Sequence, residues 1–254
     1  MERPILEVSH FRKEYRGKVA VRDLSLSVAP GQICGFIGHN GAGKTTLIRS
    51  VVGAQPPTSG TVRVCGTDVW ADPVAAKHRM AYVPDNPDVY DFLTGAQCLD
   101  LIADVFGVGA DVRHRRVDEL AGRLELAGAL DEPVSAYSHG MRQKLVLVGA
   151  LLHDPALLVL DEPFVGLDPS ASHELKAILR ERAAAGGAVF FSSHVLEVVE
   201  KLCDTVAVIR AGELVASGPT DEVRGSESLE DVFLELVDDK IGDAAPVVPA
   251  RRAR

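Results

Sequence analysis

The sequence has few cysteines and no long apolar run, and each shortage excludes a class of protein. Its 4 cysteines are Cys34, Cys65, Cys98 and Cys203, and none belongs to a Cys-x-x-Cys pair. Three of them fall in apolar runs, which favours buried reduced thiols over disulfides. No apolar run approaches the roughly 18 residues that a membrane span requires, and the charged N-terminus lacks the apolar segment of a signal peptide. We therefore expect a soluble chain that acts at a membrane only through a partner.

Positive charge is also scarce. Lysine and arginine number 27 against 36 aspartate and glutamate residues, which leaves a formal net charge of -9. A surplus of negative charge opposes long-range attraction to a polyanion, so we expect no nucleic-acid partner. Hydrophobic residues make up 46% of the 254 positions. That is enough apolar material for the core of one large α/β domain or of two small ones.

The stretch Gly38–Thr46 reads Gly-His-Asn-Gly-Ala-Gly-Lys-Thr-Thr and fits the template of a phosphate-binding loop. The backbone must turn there with positive φ and approach an anion closely, which three glycines permit: Gly38, Gly41 and Gly43. Lys44 supplies a point charge for the β- and γ-phosphates, and the Thr45 hydroxyl can ligate Mg²⁺. The alternative is a Gly-rich turn between the predicted strand Gln32–Ile37 and the predicted helix Leu47–Val52. We favour nucleotide phosphate binding, because a chance match to the whole template is rare.

Apolar patterning predicts the fold class. Leu24–Val28 alternates apolar residues with serine, which is typical of a half-buried antiparallel strand, whereas Ala156–Leu160 is apolar on both faces, as a central parallel strand should be. Between them, 85–152 reads as a helical insertion with helices at Leu93–Phe106 and Val117–Leu126. The first of these is expected to place four side chains on one face: Leu99, Ile102, Val105 and Phe106.

We therefore predict an α/β phosphate-loop NTPase core with a mostly parallel sheet and flanking helices, an N-terminal antiparallel β subdomain and an inserted α-helical subdomain. The predicted nucleotide-binding domain covers 1–239. The remaining residues, 240–254, contain prolines, alanines and three arginines without periodicity. We interpret them as a disordered tail.

Two carboxylates, Asp161 and Glu162, follow directly after the buried strand Ala156–Leu160. Carboxylates at the end of a buried strand are costly unless they bind something. Asp161 is placed to hold the Mg²⁺ shell of a phosphate-loop hydrolase, and Glu162 could orient or deprotonate the attacking water. A solvated strand end is the alternative, and it fits poorly between an apolar strand and Pro163.

An aromatic side chain, Tyr15, lies in the charged stretch Arg12–Gly17, which we predict to be a loop. An exposed ring there can stack on a base, or it can simply cover the edge of a sheet. Position alone leaves the two interpretations equally open.

The stretch Tyr137–Gln143 reads Tyr-Ser-His-Gly-Met-Arg-Gln and resembles the signature motif of ATP-binding-cassette (ABC) ATPases. Gly38–Thr46 resembles the Walker A motif of this family and Leu157–Glu162 its Walker B motif with the adjacent catalytic glutamate. Gly166–Asp168 looks like the D-loop, and His194 like the switch histidine. Five motifs in the family's order make this resemblance more specific than any one of them.

The resemblance implies that the chain binds ATP and Mg²⁺ and pairs head to tail with a second cassette. Tyr15 falls where the family stacks the adenine. The implied nucleotide ligands in the phosphate loop are Gly38, His39, Asn40, Gly41, Ala42, Gly43, Lys44, Thr45 and Thr46. Ser138 and Gly140 would donate to the γ-phosphate held by the partner cassette, with Asp168 beside them. Glu162 and His194 are the implied catalytic residues, and Thr45 and Asp161 the implied metal ligands.

Two departures from the family pattern stand out. The signature usually reads Leu-Ser-Gly-Gly-Gln, and here Tyr137, His139 and Met141 replace three of its five residues. The element after Tyr82-Val83-Pro84 usually carries glutamine, and here Asp85 takes its place. A carboxylate is also a good Mg²⁺ ligand, so Asp85 joins the candidate metal ligands.

The resemblance implies an ATP-binding and ATP-hydrolysing subunit that powers transport through a separate integral membrane permease. Such a subunit is cytoplasmic and peripheral on the inner face of the cell membrane. The runs Tyr82–Gly95 and Ser228–Phe233 resemble single-cassette subunits of bacterial exporters, which favours export over import. The alternative is a non-transport ABC ATPase of a soluble assembly complex.

Overall fold

The computed structural model describes residues 3–237, which form two sheets and nine α-helices. The strands are β1 (Leu6–Tyr15), β2 (Lys18–Val28), β3 (Ile33–Ile37), β4 (Ser59–Val64), β5 (Thr67–Asp68), β6 (Met80–Val83), β7 (Leu157–Asp161), β8 (Ala188–Ser192), β9 (Thr205–Arg210) and β10 (Glu213–Pro219). The helices are α1 (Lys44–Val51), α2 (Pro73–His78), α3 (Gly95–Val105), α4 (Ala110–Arg123), α5 (His139–Leu151), α6 (Pro169–Ala184), α7 (Leu196–Leu202), α8 (Thr220–Arg224) and α9 (Leu229–Val237). The predicted tail, 240–254, lies outside the described residues.

The N-terminal sheet is antiparallel, in the order β2-β1-β4-β5. Its second strand buries Leu24, Leu26 and Val28 and exposes the serines between them, as the alternation predicts. Strand β2 begins well before the predicted segment Leu24–Val28 and meets β1 in a hairpin where Tyr15 pairs with Lys18. The loop predicted at Arg12–Gly17 is wrong for its first four residues and holds only for the turn at Arg16 and Gly17, because cross-strand pairing extends a strand through residues that show no apolar alternation.

The second sheet has the order β10-β9-β3-β8-β7-β6, with β10 antiparallel and the other strands parallel. Its central strands β3, β7 and β8 are buried at every residue, as expected for strands covered on both faces. The α/β phosphate-loop fold class is therefore confirmed. Parallel strands present their carboxyl ends at one edge, so the segments after β3, β7 and β8 come together there.

Helices α3, α4 and α5 lie between β6 and β7 in the chain, within the stretch where a helical insertion was predicted. Helix α3 begins at a capping box, in which the Thr94 side chain accepts from the Gln97 backbone and Gln97 returns a bond to Thr94. Leu99 is buried as predicted, but Val105 is largely exposed. The predicted shared face was wrong for Val105. Neighbouring residues of an α-helix point about 100° apart around the helix axis, so Val105 does not share a face with Phe106.

Three short elements, α2, β5 and α8, were not predicted. Each has at most six residues, too few for a periodic signal. None of the helices within 3–237 is long and apolar enough to cross a membrane. All four cysteines are free thiols, as predicted.

Candidate functional site

The loop between β3 and α1 contains the phosphate-binding motif. Gly41 and Gly43 have φ of 83° and 116°, a region in which side chains are strained, and Gly43 caps the N-terminus of α1. Gly38 does not have positive φ, contrary to the prediction. A Cβ on Gly38 would lie 2.5 Å from the carbonyl oxygen of Ile209, so glycine is needed there because β9 packs closely against the loop.

Lys44 is the first residue of α1 and is only 8% exposed. Its Nζ donates to the carbonyl oxygens of Gly38 at 2.5 Å and His39 at 3.3 Å. Burial lowers the pKa of Lys44, and the nearby Glu162 and Asp161 partly oppose this shift. The ammonium group is thus desolvated and held inside the loop, where an incoming phosphate would find it already positioned.

Asp161 ends β7 and is 5% exposed. Burial raises the pKa of its carboxyl, while a hydrogen bond from Ser192 acts in the opposite direction. The Ser192 Oγ donates to Asp161 Oδ1 at 2.5 Å and also accepts from the Glu162 backbone N–H at 3.2 Å. Sequence analysis missed Ser192, although a serine ending the apolar strand β8 was a usable signal.

Glu162 follows with a φ of 49°, an uncommon value for a residue with a side chain. Its Oε2 lies 2.9 Å from His194 Nδ1 and accepts from the His194 backbone N–H at 3.2 Å. Glu162 is largely buried, whereas the His194 side chain is 63% exposed. The two predicted catalytic residues are therefore in direct contact, although they lie on different segments of the chain.

Lys44, Asp161 and Glu162 line a cavity of about 220 Å³, which Gly38, Ser192 and His194 do not line. It is lined by His39, Asn40, Gly41, Gly43, Lys44, Thr45, Thr46, Asp85, Asp161 and Glu162. The structure thus brings together most of the phosphate-loop, catalytic and metal residues that the sequence predicted.

Tyr82, which precedes Asp85, has its pKa raised to about 12, first by burial and then by the charge of Asp161.

A sequence model of the ABC transporter family matches residues 21–165. The chain belongs to this family. The Nod factor export ATP-binding protein I of Ralstonia nicotianae is 37% identical over 220 residues, covering 87% of this chain and 68% of that protein.

Two solved structures also resemble this one. A structure titled as the ATP-binding subunit of an ABC transporter superimposes with a TM-score of 0.89 at 32% identity, covering 91% of this chain and 99% of the other. The cbiO1 subunit from Clostridium perfringens, described as part of the ABC transporter complex cbiONQ, has a TM-score of 0.77 at 26% identity, covering 92% and 96%. The chain is accordingly an ATP-binding, ATP-hydrolysing subunit of a transporter.

Ser138, the second residue of the ABC signature, caps the N-terminus of α5. Its Oγ accepts from the Met141 backbone N–H at 3.2 Å, and Ser138 itself is exposed. A Cβ on Gly140 would lie 2.6 Å from the carbonyl oxygen of Gly166, so the signature packs directly on the D-loop. Neither Ser138 nor Gly140 lines the nucleotide cavity.

Packing accounts for two departures from the ABC signature. Tyr137 is buried, and its hydroxyl donates to the Ala129 carbonyl at 2.6 Å. Any side chain at position 95 would clash with the Tyr137 hydroxyl, so Gly95 leaves the space that the tyrosine ring requires. Met141 packs partly buried against the larger core. His139 is exposed beside Gly166, at the surface that carries Ser138.

Asp168 of the D-loop caps α6 and does not line the nucleotide cavity. Its Oδ1 accepts from the Ala171 backbone N–H at 2.8 Å, and its Oδ2 pairs with Lys144 Nζ at 2.7 Å. The pKa of Asp168 is lowered, first by the Ala171 bond and then by Lys144. Lys144 is a buried cation on the signature helix α5, so it ties the signature to the D-loop, a link that sequence analysis missed.

Tyr15 ends β1 with its side chain partly exposed. Gln55 Nε2 donates to its hydroxyl, and Lys13 Nζ lies 5.1 Å from the ring centroid. These two contacts hold the ring at the hairpin between β1 and β2. It does not line the cavity around the phosphate loop.

Proposed function

We propose that this ATPase powers export through a separate integral membrane permease, as one of two cassettes held at the cytoplasmic face of the membrane. The whole of 1–239 acts as the ATPase domain, with 85–152 as its helical subdomain. Export is supported by the similarity to the Nod factor export protein of Ralstonia, and a multi-subunit complex by the similarity to cbiO1, which is part of the complex cbiONQ. The observation that carries the proposal is an exposed apolar surface that one short chain segment connects to the nucleotide cavity.

This docking surface consists of four exposed apolar side chains: Tyr90, Phe92, Leu101 and Val105. Phe92 is 80% exposed, and its ring centroid lies 5.8 Å from that of Tyr90. Tyr90 and Leu101 also line an apolar cavity of about 530 Å³ between β6, α3 and α5. Exposed aromatic and aliphatic groups beside such a cavity suit an apolar segment of a permease.

The docking surface connects to the nucleotide cavity through one short segment. Asp85 lines the nucleotide cavity, and Tyr90 and Phe92 follow it in the same connection between β6 and α3. Asp91, between the two aromatic residues, pairs with Arg142 of the signature helix at 2.8 Å. A permease bound at this surface would therefore touch the segment that contacts both the nucleotide and the signature.

The residues in and around the nucleotide cavity have separate roles in ATP binding and hydrolysis. The backbone N–H groups of Gly38–Thr46 and the Lys44 ammonium bind the phosphates. Glu162 accepts the proton of the attacking water, and His194 orients Glu162 through its ring N–H. Tyr15 stacks on the adenine.

The donors in this cavity suit Mg²⁺, which prefers oxygen ligands. Thr45 and Asp161 would hold it, with Asp85 as a further carboxylate. Among the described residues no group of three or more acidic, histidine or cysteine side chains could hold a metal alone. This fits an ion bound by one or two side chains together with phosphate oxygens and water. When bound, Mg²⁺ neutralises charge on the β- and γ-phosphates.

The site is completed by a second cassette. Ser138 and Gly140 are presented at an exposed helix N-terminus away from the cavity of their own chain, which suits contact with the γ-phosphate held by a partner. Closure of the two chains excludes water and assembles the full set of ligands. The Lys144–Asp168 ion pair would keep the signature and the D-loop in register during closure.

Ser138→Arg is expected to abolish ATP-dependent dimerisation and to lower hydrolysis by about tenfold or more, a barrier change of about 1.4 kcal/mol. The arginine places bulk where the partner's γ-phosphate must dock. ATP binding by the isolated monomer should be unchanged, because Ser138 does not line that cavity. Size-exclusion chromatography and calorimetry with ATP measure the two effects. Equal loss of binding by the monomer would show that the signature acts within one chain.

The permease is tested with Phe92→Asp. The charged side chain should prevent copurification of an integral membrane protein from native membranes, while the ATPase activity of the isolated chain stays at its starting value. Val74→Asp is the matched control, since Val74 is also exposed and apolar but lies on α2, outside the docking surface. Copurification with a soluble complex alone would favour the assembly ATPase, and unchanged membrane capture by Phe92→Asp would reject this docking surface.

A further inference from the structure

The C-terminal helix α9 is fixed at both ends beside the phosphate loop. At its start, the Leu229 backbone N–H donates to Glu200 Oε2 of α7 at 2.9 Å. Near its end, the Leu236 carbonyl accepts a hydrogen bond of 2.9 Å from Nη1 of Arg210, which is the last residue of β9. Two such contacts to the core hold the helix at a defined distance from the loop.

Between these two anchors, α9 directs Phe233 at the phosphate loop. The Phe233 ring meets the His39 imidazole edge to face, with centroids 5.2 Å apart and an interplanar angle of 68°. Phe233 is 9% exposed and belongs to the larger core cluster. His39 is exposed and lines the nucleotide cavity. A core residue of the last helix thus supports a side chain in the wall of the nucleotide cavity.

The same region braces the loop at two backbone positions. The Gly212 N–H donates to the Ala42 carbonyl at 2.9 Å, and the Ile209 carbonyl packs against Gly38. Arg210, which holds the end of α9, lies between Ile209 and Gly212 in the chain. The β9–β10 turn and α9 therefore form one support for the phosphate loop. From the loop, the His39 side chain contacts α9 through its aromatic pair with Phe233.

We infer that Phe233 is a positioning residue for ATP binding: it holds the His39 imidazole at the cavity wall, where a ring N–H can donate to the phosphates. Without the ring edge of Phe233, the exposed imidazole is free to rotate into solvent and must be ordered when ATP binds. The contact also links the position of α9 to the nucleotide, and any such coupling acts in both directions. This inference rests on the proposed assignment of Gly38–Thr46 as the ATP site.

A double-mutant cycle with Phe233→Leu and His39→Ala tests the inference, with the dissociation constant for ATP measured by calorimetry. Each single variant should weaken ATP binding by about three- to tenfold, the scale of an aromatic pair. Phe233→Leu should have no further effect in the His39→Ala background, because the group it positions is already absent. Phe233→Tyr keeps the aromatic ring and should therefore bind ATP with the affinity of the original chain.

Leu234→Ala is the matched control. Leu234 is the next residue on α9, it is exposed, and it has no ring to pair with His39. It should leave ATP affinity unchanged. Because His39 is exposed, His39→Ala folds even if Phe233→Leu does not, and unchanged affinity in His39→Ala would overturn the inference. Losses that add in the double variant would also overturn it. Retained affinity in Lys44→Ala, measured in the same series, would instead reject the phosphate-loop assignment.

Discussion

Lys44→Ala is expected to abolish ATP turnover and to weaken ATP binding by about 10- to 150-fold, since hydrogen bonds to charged groups contribute about 1.5–3 kcal/mol. The ammonium group lies inside the phosphate loop and bonds only to the carbonyl oxygens of Gly38 and His39 among the contacts described. Burial of the ammonium group lowers the pKa of Lys44. The buried charge therefore costs free energy of folding through desolvation, which a bound phosphate would offset. Removing the group should therefore change the free energy of unfolding little.

Calorimetry with ATP and a thermal melt measure both quantities for Lys44→Ala. Lys201→Ala is the matched control, because Lys201 is exposed and pairs with Glu197 on α7, outside the nucleotide cavity. It should retain full binding and turnover. If Lys44→Ala hydrolyses ATP at the original rate, the assignment of Gly38–Thr46 as the ATP site is wrong.

Glu162→Gln is expected to slow hydrolysis by about 100-fold or more, the scale of lost general-base catalysis, and to leave ATP binding intact. Glutamine has nearly the same shape, and its carbonyl oxygen can still accept from His194. It cannot take the proton of the attacking water. Because ATP would be bound but not cleaved, the variant should accumulate as an ATP-bound dimer.

Single-turnover hydrolysis and size-exclusion chromatography with ATP measure the two consequences of Glu162→Gln. Glu197→Gln is the control, since Glu197 is exposed on α7 and pairs with Lys201. Full hydrolysis by Glu162→Gln would move the general base to His194 or Asp85. Loss of ATP binding would show that Glu162 holds the nucleotide and does not serve as a base.

Short-range patterns predicted the central strands well. Strand β7 is a continuous apolar run that ends in a polar residue, and the predicted strand Ala156–Leu160 lies within one residue of its observed bounds. Strand β1 was predicted only in part, because its outer half is partly exposed and pairs with β2 through residues of no apolar pattern. Tyr15 was consequently placed in a loop.

Sheet order could not be predicted in the same way. Every buried parallel strand has a similar apolar pattern, so the sequence does not say which of β3, β7 and β8 are neighbours. The observed order puts β8 between β3 and β7, and that order alone lets Ser192 reach Asp161 and Glu162.

The sequence by itself determined the chemical groups of the site, because each motif is a local pattern: glycines that permit a tight phosphate loop, a lysine and a threonine at the start of a helix, and carboxylates after an apolar strand. The tertiary structure alone decided which groups act together. Lys144 meets Asp168, His194 meets Glu162, and Phe233 meets His39. These pairs are far apart in the chain, and their contacts arise only when packing of the sheet and helices closes the distance between them.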